Sequence, residues 1–305
     1  MFWAGLLVIA FLFQAAKADL DSVNTLLRRG DYQNALRALE ASSPSDKQTG
    51  EWHLLASKAY DGLNQPKEAV AEAEAALAIN PSDQAYHLQL GQIFLSRNTP
   101  KAAFEVFDEA LKLFPDSLLL LLGRGVALMN LGSYDRAEKD LMTCLDRKPD
   151  LGIAFESLET VYFQTSRPEE AEKQAESYER KNPTDFRGFY FWAAAEDRLN
   201  KDNSHSEVEA LNMALNLKPD YTPAKVLLAK VFYRTGDSTK ALSILEQAVR
   251  DRADYAPAHL ELATLYRKLG RREDAERESQ ILQRLSDNRP AALKYHRSSD
   301  TSDQK

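Results

Sequence analysis

The chain has a single cysteine, Cys144, among 305 residues, so it can form no internal disulfide and no cysteine-based zinc site. Glycine and proline number 12 each, too few for a loop-rich β protein or a low-complexity polymer. Neither sign of charge is in large excess: 39 basic against 46 acidic residues leave a net charge of −7. That mild acidity disfavours general adhesion to nucleic acid or to an anionic membrane. No HExxH, paired CxxC, GxxxxGK[ST] or GxSxG pattern occurs, so the familiar metalloprotease, zinc, phosphate-loop and nucleophile-elbow signatures are missing. The sequence therefore implies no enzyme, cofactor or metal. Nor is there an apolar run long enough to span a bilayer, which takes roughly 20 residues.

The longest such run is N-terminal, Leu6 to Phe13, followed by Gln14-Ala15-Ala16-Lys17-Ala18. Small residues at Ala16 and Ala18 suit a signal peptidase, which predicts that residues 1–18 are a secretion signal. No Lys or Arg precedes the run, and a short retained anchor or a first buried helix is the alternative. Export predicts a periplasmic or secreted protein. The polar end of the chain, residues 288–305, reads as a disordered tail.

What the chain has in abundance is a repeat. Prolines fall at Pro81, Pro115, Pro149 and Pro183, in steps of 34. Ala69, Ala103, Ala137 and Ala171 keep the same step, and so do the pairs Gly91/Gly125 and Gly236/Gly270. Within a unit the apolar spacing is helical. Leu90, Ile93 and Phe94 belong to one helix, a break follows at Arg97 to Pro100, and Ala103, Phe107, Ala110 and Leu111 form a second. Phe114-Pro115 then ends it, because proline lacks the amide donor and disfavours a helical residue before it. Such a helix pair cannot bury its apolar side alone, so neighbouring pairs must stack.

These residues resemble the tetratricopeptide repeat (TPR) family. In the unit that begins at Gln84, the family's eight marked positions fall on His87, Leu90, Gly91, Phe94, Ala103, Phe107, Ala110 and Pro115. The resemblance implies an all-α fold, a right-handed α-α superhelix (TPR solenoid) of seven to eight helix-turn-helix repeats over residues 19–287. The units begin near residues 18, 50, 84, 118, 152, 186, 222 and 256. It also explains His53, His87 and His259, which share one packing position, and Cys144, which takes a small buried slot.

The resemblance further implies that the first helices line a concave groove that binds a protein or peptide. Carried over residue by residue, that groove offers apolar contacts at Leu88, Leu95, Leu119, Leu122 and Met129 within units 84–151. It offers a basic set at Arg187, Arg198, Lys230, Arg234, Arg267 and Lys268, with Tyr233 beside them and few acids among them. An extended partner with apolar anchors and an acidic end fits that pattern. The expected role is a non-catalytic scaffold or adaptor in an envelope, secretion or export assembly. The alternative is a chaperone-like capture protein for exported or unfolded clients, and an enzyme is the remote one.

The pattern breaks in units 152–185 and 186–221. Glu159 stands in a small-residue position, Glu196 in an aromatic one and Glu207 in an alanine one. The step from Pro183 to Pro219 is 36, so two residues are added within the turn from Asn200 to Ser206. The plainer expectation is a loosened turn whose glutamates face water, since a buried unpaired carboxylate is costly. A hinge or partner contact is the other reading. In the run Phe186, Phe189, Tyr190, Phe191 and Trp192, one or two rings should be exposed.

Overall fold

The computed structural model describes residues 20–201 and 203–287. The expected signal segment with Ala16 and Ala18 and the expected tail 288–305 lie outside them. The described residues are helical throughout, with no strand. Residues 20–28 form α1, which precedes α2 (Tyr32–Glu40) and a short 3-10 turn at Asp46–Gln48. From there the helices come in pairs: α3 (Gly50–Gly62) with α4 (Pro66–Ile79), α5 (Gln84–Ser96) with α6 (Pro100–Leu113), and α7 (Leu118–Asn130) with α8 (Tyr134–Arg147). The series continues with α9 (Gly152–Gln164) and α10 (Pro168–Lys181), then α11 (Phe186–Leu199) and α12 (Ser204–Leu217). It ends with α13 (Thr222–Arg234) and α14 (Ser238–Asp251), then α15 (Ala256–Lys268) and α16 (Arg272–Asp287).

Each turn between paired helices is built alike. One residue per pair adopts a positive φ: Gly30, Asn64, Asn98, Gly132, Ser166, Asn200, Gly236 and Gly270. This left-handed residue closes the first helix and frees the chain to reverse. Glycine and asparagine enter that conformation at little cost, whereas Ser166 carries a side chain that resists it. Proline at the first position of α4, α6 and α10 then starts the second helix, where its missing amide proton loses nothing.

The chain divides into two compact units, one ending at Asp140 and one beginning at Leu141. In the first, α3, α5 and α7 touch in succession, so the first helix of each pair meets the first helix of the next. Alanines Ala69, Ala73 and Ala103 are fully buried at the helix crossings. Phe107 shows why small residues are needed there. Its ring lies so close to Gly91 and Gly123 that a Cβ at either would collide with it. Arg124 occupies a slot held by Leu90 in the preceding pair, and it bridges Asp140 and Asp108 at 2.8 Å each.

In the second unit α9, α11, α13 and α15 touch in succession. One cluster joins Ala193, Leu211, Ala224, Leu228 and Val231, and another joins Ala241, Leu245, Ala248, Leu262 and Ala275. Cys144 is fully buried. His259 is buried too, bonded through Nδ1 to Glu278 at 2.6 Å, and in the first unit His53 pairs with Glu72 in the same way.

Two expectations fail in the second unit. The glutamates do not face water: Glu159, Glu196 and Glu207 are at most 1% exposed. The aromatic run also buries more than helical geometry alone predicts. Phe191 is buried and Phe186, Phe189, Tyr190 and Trp192 are half-buried, because Phe155, Phe163 and Tyr221 supply rings that pack against the run from neighbouring helices.

Candidate partner-binding face

The three buried carboxylates explain much of the local architecture. Glu196 is held by the inserted turn itself: Lys201 Nζ donates to Oε1 at 2.7 Å and Asn203 Nδ2 to Oε2 at 2.9 Å. Burial pushes its carboxyl up, but these donors prevail and hold it below the usual carboxylate range. Lys201 also bonds Glu172 at 2.6 Å. Asn200 keeps the 34-residue step from Ser166, so the two added residues fall after it, and that turn supplies the donors for Glu196.

Glu207 is held from the next pair. Arg234 Nη2 donates to both of its oxygens, at 2.7 and 2.6 Å. Burial raises the Glu207 carboxyl, with Arg234 pulling the other way. Glu159 has neither remedy. Both of its oxygens are buried without a hydrogen-bond partner, and burial pushes its carboxyl well above the usual range.

The basic residues expected on the first-helix face are therefore not all free. Arg234 Nη1 donates to Asp197 at 2.7 Å and Lys230 Nζ donates to the same carboxylate at 3.0 Å. Arg187 bonds Asp185 at 2.8 Å and approaches Glu156 at 3.5 Å. Arg198 lies over the Phe163 ring at 4.2 Å, and Lys268 over Tyr233 at 4.4 Å. Arg267 bonds the Ala263 carbonyl and Thr264 Oγ1. The acids Glu156, Asp197 and Glu261 stand among them, which corrects the expectation of few acids on this face.

Five of these side chains nevertheless converge. Asp197 from α11, Lys230, Tyr233 and Arg234 from α13, and Lys268 from α15 line a cavity of about 190 Å³ with Glu261 and Thr264. Ala229, Leu245 and Leu265 complete its lining.

In the first unit the apolar set is less available than its pattern suggests. Leu119 is 53% exposed, while Leu88, Leu95 and Met129 are half-buried. Leu122 is buried and offers nothing to a partner, because in a run of five leucines a helix must turn three inward, here Leu120, Leu121 and Leu122. A second cavity, of about 320 Å³, opens beside Lys58, Arg28 and Gln89. Sequence reasoning passed over it because α1 and α2 keep only fragments of the repeat pattern. Among the described residues, no group of three or more His, Cys, Asp or Glu is placed to hold a metal ion. No helix among them is long and apolar enough to cross a membrane.

Known proteins share this architecture. The human protein O-mannosyl-transferase TMTC3 is 27% identical over 181 residues, a match that takes in 57% of this chain and 19% of that one. The chain thus spans about a fifth of the length of this relative. A tetratricopeptide repeat protein from Parabacteroides merdae matches in structure with a TM-score of 0.64 at 17% identity, over 81% of this chain and 97% of that one. Yeast Tom70 gives a TM-score of 0.64 at 17% identity, over 87% and 57% of the two chains. Sequence profiles described as tetratricopeptide repeat match residues 54–118, 105–150 and 235–297. Recurring helix pairs, small residues at their crossings and profile matches over more than half of its length agree: the chain belongs to the tetratricopeptide repeat family.

Proposed function

We propose that this protein is a non-catalytic scaffold that binds an extended segment of a partner protein along its first helices. Repeat proteins of this family serve protein–protein interaction. One observation carries the reading for this chain: side chains from α11, α13 and α15 meet in a cavity of about 190 Å³ on the face where first helices touch. That volume is below the roughly 300–1,000 Å³ of small-molecule sites, and it suits a protein side chain better than a substrate. The human transferase is matched over only 19% of its length, so its chemistry supplies no argument for catalysis here.

The setting we propose is an envelope, secretion or export assembly. The support is the N-terminal sequence, an apolar run from Leu6 to Phe13 followed by small residues at Ala16 and Ala18. N-terminal sequencing of the protein from cells tests this: a mature chain that begins at Asp19 agrees, and an intact Met1 in the cytosol refutes it.

A photo-crosslinking residue placed at Lys268, on a first helix, should capture a partner in cells, and so should one at Leu119. The same residue at exposed Lys173, on the second helix α10, should not. Equal capture from all three positions would defeat the assignment of the face.

A further inference from the structure

The contact between Asp197 and its two cations has a form that a partner could take over. Lys230 and Arg234 lie four residues apart on α13, so their side chains share one face of the helix. Both reach across to Asp197 on the neighbouring first helix. Lys230 is 43% and Arg234 33% exposed, so water and ligands reach the pair. Arg234 divides its work between its two terminal nitrogens. Nη2 serves the buried Glu207, and Nη1 serves Asp197. An outside carboxylate can therefore replace Asp197 without disturbing the bond that holds Glu207.

We propose that Asp197 is a built-in stand-in for a partner's acidic side chain, and that the partner binds by displacing it from Lys230 and Arg234. This rests on the reading of the first helices as the binding face. The occupant is an acidic segment of a protein, with an Asp or Glu beside a residue the size of leucine. The acid takes the place of Asp197, and the apolar neighbour enters the adjoining cavity against Leu245 and Leu265. Glu261 sets the direction. Glu261 lines the same cavity and has no ion-pair partner among the described residues, so its negative charge disfavours a second acid on its own side. Two cations held in place before binding also need less ordering when the ligand arrives.

The stand-in competes with the ligand, and its removal should strengthen binding. The cations are partly exposed and Asp197 is 18% exposed, so the pair holds its closed state by a factor on the order of five, which sets the scale of the gain. The test uses the full chain and a fluorescein-labelled, C-terminally amidated peptide, Gly-Ser-Glu-Leu-Asp-Ser-Gly, with a twin that carries Gln and Asn for Glu and Asp. Anisotropy titrations at low salt should show the acidic peptide binding Asp197→Asn two- to fivefold more tightly than the unmodified protein, an order-of-magnitude range. Lys230→Gln, a change at an exposed side chain, should weaken it several-fold. The neutral twin should bind weakly and ignore both changes. Unchanged or weaker binding to a folded Asp197→Asn protein overturns the proposal, as does an equal gain for the neutral twin. If Asp197→Asn fails to fold, Lys230→Gln decides alone: undiminished binding of the acidic peptide overturns the proposal. Crosslinking from Lys268 and Leu119 but not Lys173, with no effect at Asp197, would leave the binding face standing and remove only the stand-in.

Discussion

Replacing Glu159 should make the protein more stable at neutral pH. The side chain is fully buried on α9, both oxygens lack partners, and burial alone raises its carboxyl far above the usual range. An unsatisfied buried polar group costs about 1–3 kcal/mol, and more when charged. Glu159→Ala removes that cost and gives up roughly one buried methylene beyond Cβ, about 0.8 kcal/mol. The equivalent positions elsewhere are Ser57, Gly91, Gly125, Ala193, Ala229 and Ala263, all buried, so alanine fits the crossing. The net gain at pH 7.5 is then between about 0.2 and 2 kcal/mol.

The pH dependence has a definite sign. A carboxyl raised in the folded state binds its proton more tightly there than in the unfolded chain. Its presence therefore lowers stability progressively as pH rises from the unfolded value of about 4.3 to its own raised value. The advantage of Glu159→Ala should be large at pH 7.5 and should shrink below about pH 4.3. Glu172, Glu179 and Glu207 are raised as well, so the difference between variant and parent isolates Glu159. Hydrogen exchange of the α9 and α10 amides, followed by mass spectrometry, reads the local free energy without assuming that the whole array unfolds at once. A loss of more than about 1 kcal/mol at pH 7.5, or a difference that ignores pH, would refute the reasoning.

Other outcomes follow from the same neighbourhood. Arg234→Ala strands Glu207 and should destabilise α12 by about 3 kcal/mol, near the lower end for a broken buried pair because Arg234 is partly exposed. Glu207→Ala should cost far less, since alanine is what Ala171 and Ala241 place there, and the double variant should resemble it. Urea melts of the three proteins test this, with equal losses for both single variants as the contrary result. Lys201→Ala leaves Glu196 short of a donor and should cost about 1–3 kcal/mol, read as faster exchange in α11. Ser166→Gly should add about 1 kcal/mol by relieving a left-handed serine at φ 55°, seen as a raised urea midpoint.

Much of the fold was legible in the sequence, because a repeat announces itself many times over. Each alanine or proline in step constrains the same helix pair, so errors at one unit are corrected by the others. The breaks were harder. Glu196 and Glu207 are buried because Lys201, Asn203 and Arg234 come to meet them, and a one-dimensional pattern does not show which distant cation faces which acid. Arg124 escaped notice for the same reason. It stands in a leucine position, and its two aspartates lie 16 residues away on either side. The candidate face was partly legible. Lys230, Tyr233, Arg234 and Lys268 do meet at one cavity, whereas Glu261 was not foreseen there. Leu122 was misjudged because the five-leucine run has no polar residue to mark its outer side.

The ties around α11 and α12 bear on how such an array can grow or be rebuilt. Duplicating or transplanting a stretch of this chain amounts to copying a cassette, and a cassette must be electrically self-sufficient wherever it lands. The segment 186–221 is not. It borrows Arg234 from the segment after it to neutralise Glu207, and through Lys201 it shares a proton-bearing cluster with Glu172 in the segment before it. Moved alone, it would arrive with an orphaned carboxylate, so the smallest portable block here takes the segment after it as well.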